Sequence, residues 1–118
     1  KHAHNSLEDT GKLFVALPNY KSWDANHYGT MWAAYDVPRH LWHFSPNGFI
    51  SMAKDSGFET EKTYPLRLDA YYVSLLSEQN RQSKFPWLNA FWSGWRSNRA
   101  AKHSKNYSSL IYVLQKRK

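Results

Sequence analysis

The chain reads as an α/β fold, and three observations carry that reading. Leu13–Leu17 is an unbroken apolar run with aromatic and β-branched members, which suits a buried strand. Leu68, Tyr71, Tyr72, Leu75 and Leu76 recur at i, i+3, i+4, i+7 and i+8, the spacing of a helix with one apolar stripe. Leu110-Ile111-Tyr112-Val113 is a second β-rich run close to the end of the chain.

The elements follow in order. Residues 1–11 are polar and close on Thr10-Gly11, a turn signal ahead of a strand at 12–17. Pro18-Asn19 stops that strand. Residues 20–44 read as a long loop with one short helical turn near Trp32–Tyr35, and a loop of that length in a small domain points to function. Ser45 is a good N-cap with Pro46 in the first helical position, and Gly57 is the expected stop. A strand follows at 58–64, ending at Pro65. Helices are expected at about 67–81 and 87–101, the second with Trp87, Leu88, Phe91, Trp92 and Trp95 on its apolar side and turned to the core. The last strand is Ser109–Leu114.

Composition bounds the classes. The 118 residues suffice for one small core, and 42% hydrophobic with 17% aromatic content argues against disorder. There is no cysteine, so a disulfide scaffold is excluded. No apolar run approaches a transmembrane length. The chain opens on Lys1 rather than Met, which reads as a piece of a longer polypeptide. Net charge is +7 and lies in the second half: residues 1–60 hold 5 Lys/Arg against 6 Asp/Glu, and residues 61–118 hold 11 against 3. Such a half attracts phosphates or anionic surfaces, yet no base-reading motif accompanies it, so specific nucleic-acid binding is not expected.

Ligands of parallel α/β sheets gather beyond the carboxyl ends of the strands. Here that place is filled by Asp36-Val37-Pro38-Arg39-His40-Leu41-Trp42-His43-Phe44-Ser45. This run resembles the D-x-P-x-H-L-x-x-F-S loop of class I S-adenosylmethionine-dependent methyltransferases of the small-molecule type. Gly11–Asn19 resembles their fifth strand, Asp55-Ser56-Gly57-Phe58 the entry to the sixth, and Tyr107–Leu114 the seventh. Pro65–Tyr72 with Ser97-Asn98 resembles an insert in one branch. The match runs from about residue 11 to 116.

The resemblance implies the C-terminal portion of a Rossmann-like, doubly wound sheet over 1–118: three strands with helices, the last strand antiparallel between the other two, and a helical insert at 65–106. It implies a parent enzyme that transfers a methyl group from S-adenosylmethionine to a small-molecule acceptor or a glycan precursor, in the cytoplasm. The family's glycine-rich turn and its ribose-binding carboxylate are absent. No cofactor residue is therefore assigned, and the chain alone is expected to be inactive. His40 and His43 are the expected proton acceptors, since imidazole suits proton transfer near neutral pH. Asn19, Tyr28, Trp32, Asp36 and Arg39 are the expected acceptor-binding residues. Arg39 would hold a carboxylate or phosphate, or else pair with Asp36. His40-x-x-His43 with scattered further histidines makes no metal site. The alternative is a non-catalytic basic-aromatic domain that binds a membrane surface or nucleic acid. Strand 12–17 would lie at a sheet edge, which is expected to pair with a second copy as a homodimer, to be covered by residues 1–10, or to cause aggregation at high concentration.

Overall fold

The computed structural model describes residues 2–118. It is an α/β structure around a three-stranded sheet in which β1 (Lys12–Pro18), β3 (Ser109–Lys116) and β2 (Phe58–Pro65) lie in the order β1-β3-β2. The last strand is central and antiparallel to both neighbours. Leu13, Val15 and Leu17 stand opposite Leu114, Tyr112 and Leu110, so one face of the sheet is a continuous apolar surface. It is covered by Phe49 and Ala53 of α3 (Pro46–Asp55) and by Leu7, which follows a short helix α1 (His2–Ser6). A register shift between Thr60 and Lys62 bends β2.

The opposite face stays open, with Phe14, Ala16, Lys62 and Tyr64 exposed. Among the described residues, helices therefore layer only one face, where a doubly wound sheet has two. Strand β1 is correspondingly half-buried rather than buried. Its alternate residues face solvent, a pattern that the uniformly apolar run Leu13–Leu17 conceals.

The remaining helices gather beyond the carboxyl ends of β1 and β2. They are α2 (Trp23–Tyr28), α4 (Asp69–Asn80) and α5 (Pro86–Ser104). They carry a second core of Ala25, Tyr28, Trp32 and Val73. The molecule is accordingly drawn out to 52 × 31 × 18 Å. Its radius of gyration, 15.7 Å, exceeds the roughly 13.5 Å of a compact chain of this length.

Residues 2–6 form a helix for which the polar sequence gives no signal. Two expectations are corrected. Residues 20–44 are not one loop: Ser22 caps α2, its Oγ accepting from Ala25 N at 3.3 Å, and 3₁₀ turns follow at Gly29–Met31 and Ala33–Tyr35. The apolar stripe of α5 does not face the core: Trp87, Leu88, Phe91, Trp92 and Trp95 are exposed. The stripe of α4 is divided, with Tyr71, Leu75 and Leu76 half-buried and Leu68 and Tyr72 exposed. The buried faces are instead Ala70, Val73, Ser74, Ser77 and Glu78 on α4, and Ala90, Ser93, Gly94, Ser97 and Ala101 on α5. Small side chains let the two backbones approach closely. At Gly94 an added Cβ would lie 3.0 Å from Tyr71 Cα and 2.5 Å from Tyr71 Cδ1.

Candidate functional site

A cleft of about 320 Å³ opens where β1 ends, lined by Ala16–Pro18, Tyr20, Trp32, Ala34 and the segment Arg39–Phe44. Asn19 and Phe44 form a parallel bridge that lays this segment beside the end of β1. Ser45 then starts α3, its Oγ accepting from Gly48 N at 3.1 Å. The end of the strand and the cap of the next helix thus fix both ends of the wall.

Asp36 organises the charged groups. It sits in the left-handed region at φ 45°, following the 3₁₀ turn. Its Oδ1 accepts from Arg39 Nε at 3.0 Å and lies 2.8 Å from Arg39 Nη2, while its Oδ2 lies 3.8 Å from His40 Nε2. His43 packs edge-on against Tyr35, ring centroids 4.9 Å apart. One cation and two imidazoles therefore share a small cleft with an aromatic wall. Such a cleft suits a small molecule with a flat apolar body and an anionic group, and it holds bases for a proton.

Four of the seven sequence-predicted residues, Trp32, Arg39, His40 and His43, line this cleft together. Asp36 stands behind them and holds Arg39, with the His40 ring 3.8 Å away. Two are corrected. Asn19 is buried with its amide engaged: Nδ2 donates to Asn106 Oδ1 and to the Tyr107 carbonyl, both at 3.2 Å, and Oδ1 accepts from Lys21 N at 2.9 Å. It ties β1 to the segment entering β3 rather than lining the cleft. Tyr28 belongs to the second core. Its hydroxyl donates to Glu78 Oε1 at 2.8 Å, and burial pushes its phenol up to about 12, which unsuits it to exchange protons near neutrality.

The sequence reading missed the residue that holds the wall in place. Trp32 is buried, and its Nε1 donates to Asp24 Oδ2 at 2.8 Å. The wholly buried Asp24 carboxyl also accepts from Ser97 Oγ at 2.6 Å and from Ser108 Oγ at 2.7 Å. It joins α2, the wall, α5 and the entry to β3 at one point. An acidic residue two positions after Ser22 reads locally as first-turn helix chemistry, so nothing in its neighbourhood announces the network.

Among the described residues, no three His, Asp or Glu side chains come together as a metal would need. No helix is long and apolar enough to cross a membrane. No family model, curated protein or solved structure matches this chain.

Proposed function

We propose that this chain forms the acceptor side of an S-adenosylmethionine-dependent methyltransferase acting on a small molecule. The observation that carries the reading is the cleft at the end of β1, in which Arg39, His40 and His43 meet beside Trp32. The central antiparallel last strand agrees with the resemblance of the D-x-P-x-H-L-x-x-F-S segment.

The described residues do not fit the cofactor itself. A glycine-rich turn should follow the carboxyl end of a strand and cradle the donor. Gly11 precedes β1, Gly48 and Gly94 lie within helices, and Gly57 and Gly29 end them. This chain's part is therefore confined to the acceptor. Arg39, held by Asp36, pairs with a carboxylate or phosphate of the acceptor and sets its orientation. The indole of Trp32, fixed by Asp24, supports the acceptor's apolar body. His40 or His43 takes the proton that an acceptor hydroxyl or amine must lose. A glycan precursor would meet the same Arg39 through its phosphate groups.

The test is transfer of labelled methyl groups by the full natural polypeptide to hydroxyl- and amine-bearing carboxylates and phosphates. The His40→Gln and His43→Gln variants are expected to show kcat reduced about 100-fold or more in at least one of them, with donor affinity unchanged. Full turnover in both variants, or no transfer to any acceptor of this class, refutes the reading. Residues 1–118 alone are expected to bind the donor only weakly in calorimetry, and micromolar binding would place donor contacts within this chain.

A further inference from the structure

We infer that α5 docks the molecule on an anionic lipid bilayer, lying in the plane of the headgroups with Trp87, Leu88, Phe91 and Trp95 turned into the membrane. This goes beyond the methyl-transfer reading and does not depend on it.

The first support is geometry. Along α5 the small residues Ala90, Ser93, Gly94, Ser97 and Ala101 are buried against the rest of the molecule. The large apolar residues occupy the other side of the same nineteen-residue helix. Their exposures run from 44% at Trp95 to 73% at Trp87. At 3.6 residues per turn, Trp87, Leu88, Phe91 and Trp95 fall on one stripe, and Arg99 and Lys102 continue it one and two turns further. An ordinary globular helix is arranged the other way, with its bulky apolar side chains inside. The close approach of α4 and α5 at Gly94 holds the backbone, so the anchors are presented by a rigid element.

The second support is charge. From residue 79 to the end the chain holds nine Lys or Arg residues and no Asp or Glu. The acidic residues nearest before it, Asp69 and Glu78, are engaged with Ser109 and Tyr28. Arg99 stands over the Trp95 ring, 5.2 Å from its centroid. A depression of about 530 Å³ beside that ring is lined by Trp95, Asn98, Arg99, Lys102 and His103. It offers cationic donors at the depth where a lipid phosphate would lie beside an indole. A helix with aromatic and aliphatic anchors on one stripe and cations along its polar border is the form that lies in a bilayer interface. Trp prefers that position because its ring is apolar and its N–H is polar.

Lipid is favoured over nucleic acid by the shape of the face and its residue types. The stripe is convex, whereas single strands are bound in grooves with flat rings for successive bases. Leu88 sits among the anchors and has no ring to stack.

The experiment is co-sedimentation of the 118-residue chain with phosphatidylcholine vesicles, with and without phosphatidylglycerol, and with shallow-brominated lipid to quench inserted Trp. Binding is expected to be roughly tenfold or more tighter to the anionic vesicles, to weaken with salt, and to be accompanied by quenching. The surface variants Phe91→Ser with Trp95→Ser, and Arg99→Gln with Lys102→Gln, are expected to lose at least about tenfold in binding while circular dichroism is unchanged. Three results overturn the inference: no preference for anionic vesicles, variants that bind like the wild type, or self-association in light scattering that the Phe91→Ser/Trp95→Ser variant abolishes. Single-stranded oligonucleotides run in parallel form the last arm. Tighter binding to them than to vesicles, lost in the aromatic variant, overturns lipid docking in favour of nucleic acid.

Discussion

Asp24 is the residue on which most of the local geometry converges. It is fully buried and its partners come from positions 32, 97 and 108. Removing one side of a buried charged network strands the groups that remain. Asp24→Ala is therefore expected to lower stability by about 3 kcal/mol in urea unfolding. It should also free the Trp32 indole, visible as a changed near-ultraviolet circular dichroism signal. His27 offers a pH test. It stacks on Trp23 at 4.7 Å, and its pKa is lowered from 6.5, first by burial and then by Arg81, with Glu78 and Asp24 opposing. The folded state then binds protons less readily than the unfolded chain. Stability from this group is full above about 6.5 and declines as pH falls from there toward the lower folded value. His27→Gln is expected to flatten the fall in urea midpoint between about pH 7.5 and about pH 5.5. An unchanged slope would show that His27 does not contribute.

The helical hairpin is where element-scale reasoning from sequence fails most clearly. The i, i+4 recurrence of large apolar residues correctly marked α4 and α5 as helices, because periodicity reports the backbone. On α5 the buried face is the opposite one, while the α4 stripe is only partly buried. Hydrophobic scales rank Ser and Gly low, so the stripe Ala90, Ser93, Gly94, Ser97, Ala101 was passed over, although its spacing is just as regular. Close helix packing rewards small volume, and the hydroxyls of Ser77 and Ser97 find partners inside. Gly94→Ala tests this directly. The new Cβ meets Tyr71 Cα at 3.0 Å, backbone that cannot swing aside, so α4 and α5 must separate. The expected cost is about 2 kcal/mol in urea unfolding. Ala in place of Gly within a solvent-facing helix would instead stabilise by roughly 0.5–1 kcal/mol, so the sign of the change decides the issue.

At the scale of the molecule the three-stranded sheet is open, with β1 and β2 at its edges. Among the described residues β1 pairs on one side only, and its outer edge meets the chain again just at the Asn19–Phe44 bridge. The face bearing Phe14 and Tyr64 is open beside it. A free edge next to an apolar face invites pairing with a second copy. Concentration-dependent association is expected in light scattering, and Phe14→Lys should reduce it. Phe14 is 64% exposed, so the lysine enters solvent, whereas Val15 packs on the core and would bury the charge. A strict monomer at high concentration would show that the edge is tolerated.

Sequence by itself determined the three strands, the three longer helices and the segment Asp36–Ser45 that walls the cleft, because propensity, period and capping residues act within a few positions. It also brought Trp32, Arg39, His40 and His43 under consideration, since a strand end followed by His and Arg marks a ligand position in α/β sheets. Tertiary structure decided the rest. It withdrew Asn19 and Tyr28 into structural hydrogen bonds, gathered Asp24 with residues 73 and 84 positions away, and turned the aromatic stripe of α5 outward. These outcomes depend on which surfaces meet, and that is settled by the volumes and hydrogen-bonding needs of residues far apart in the chain, which no local window contains.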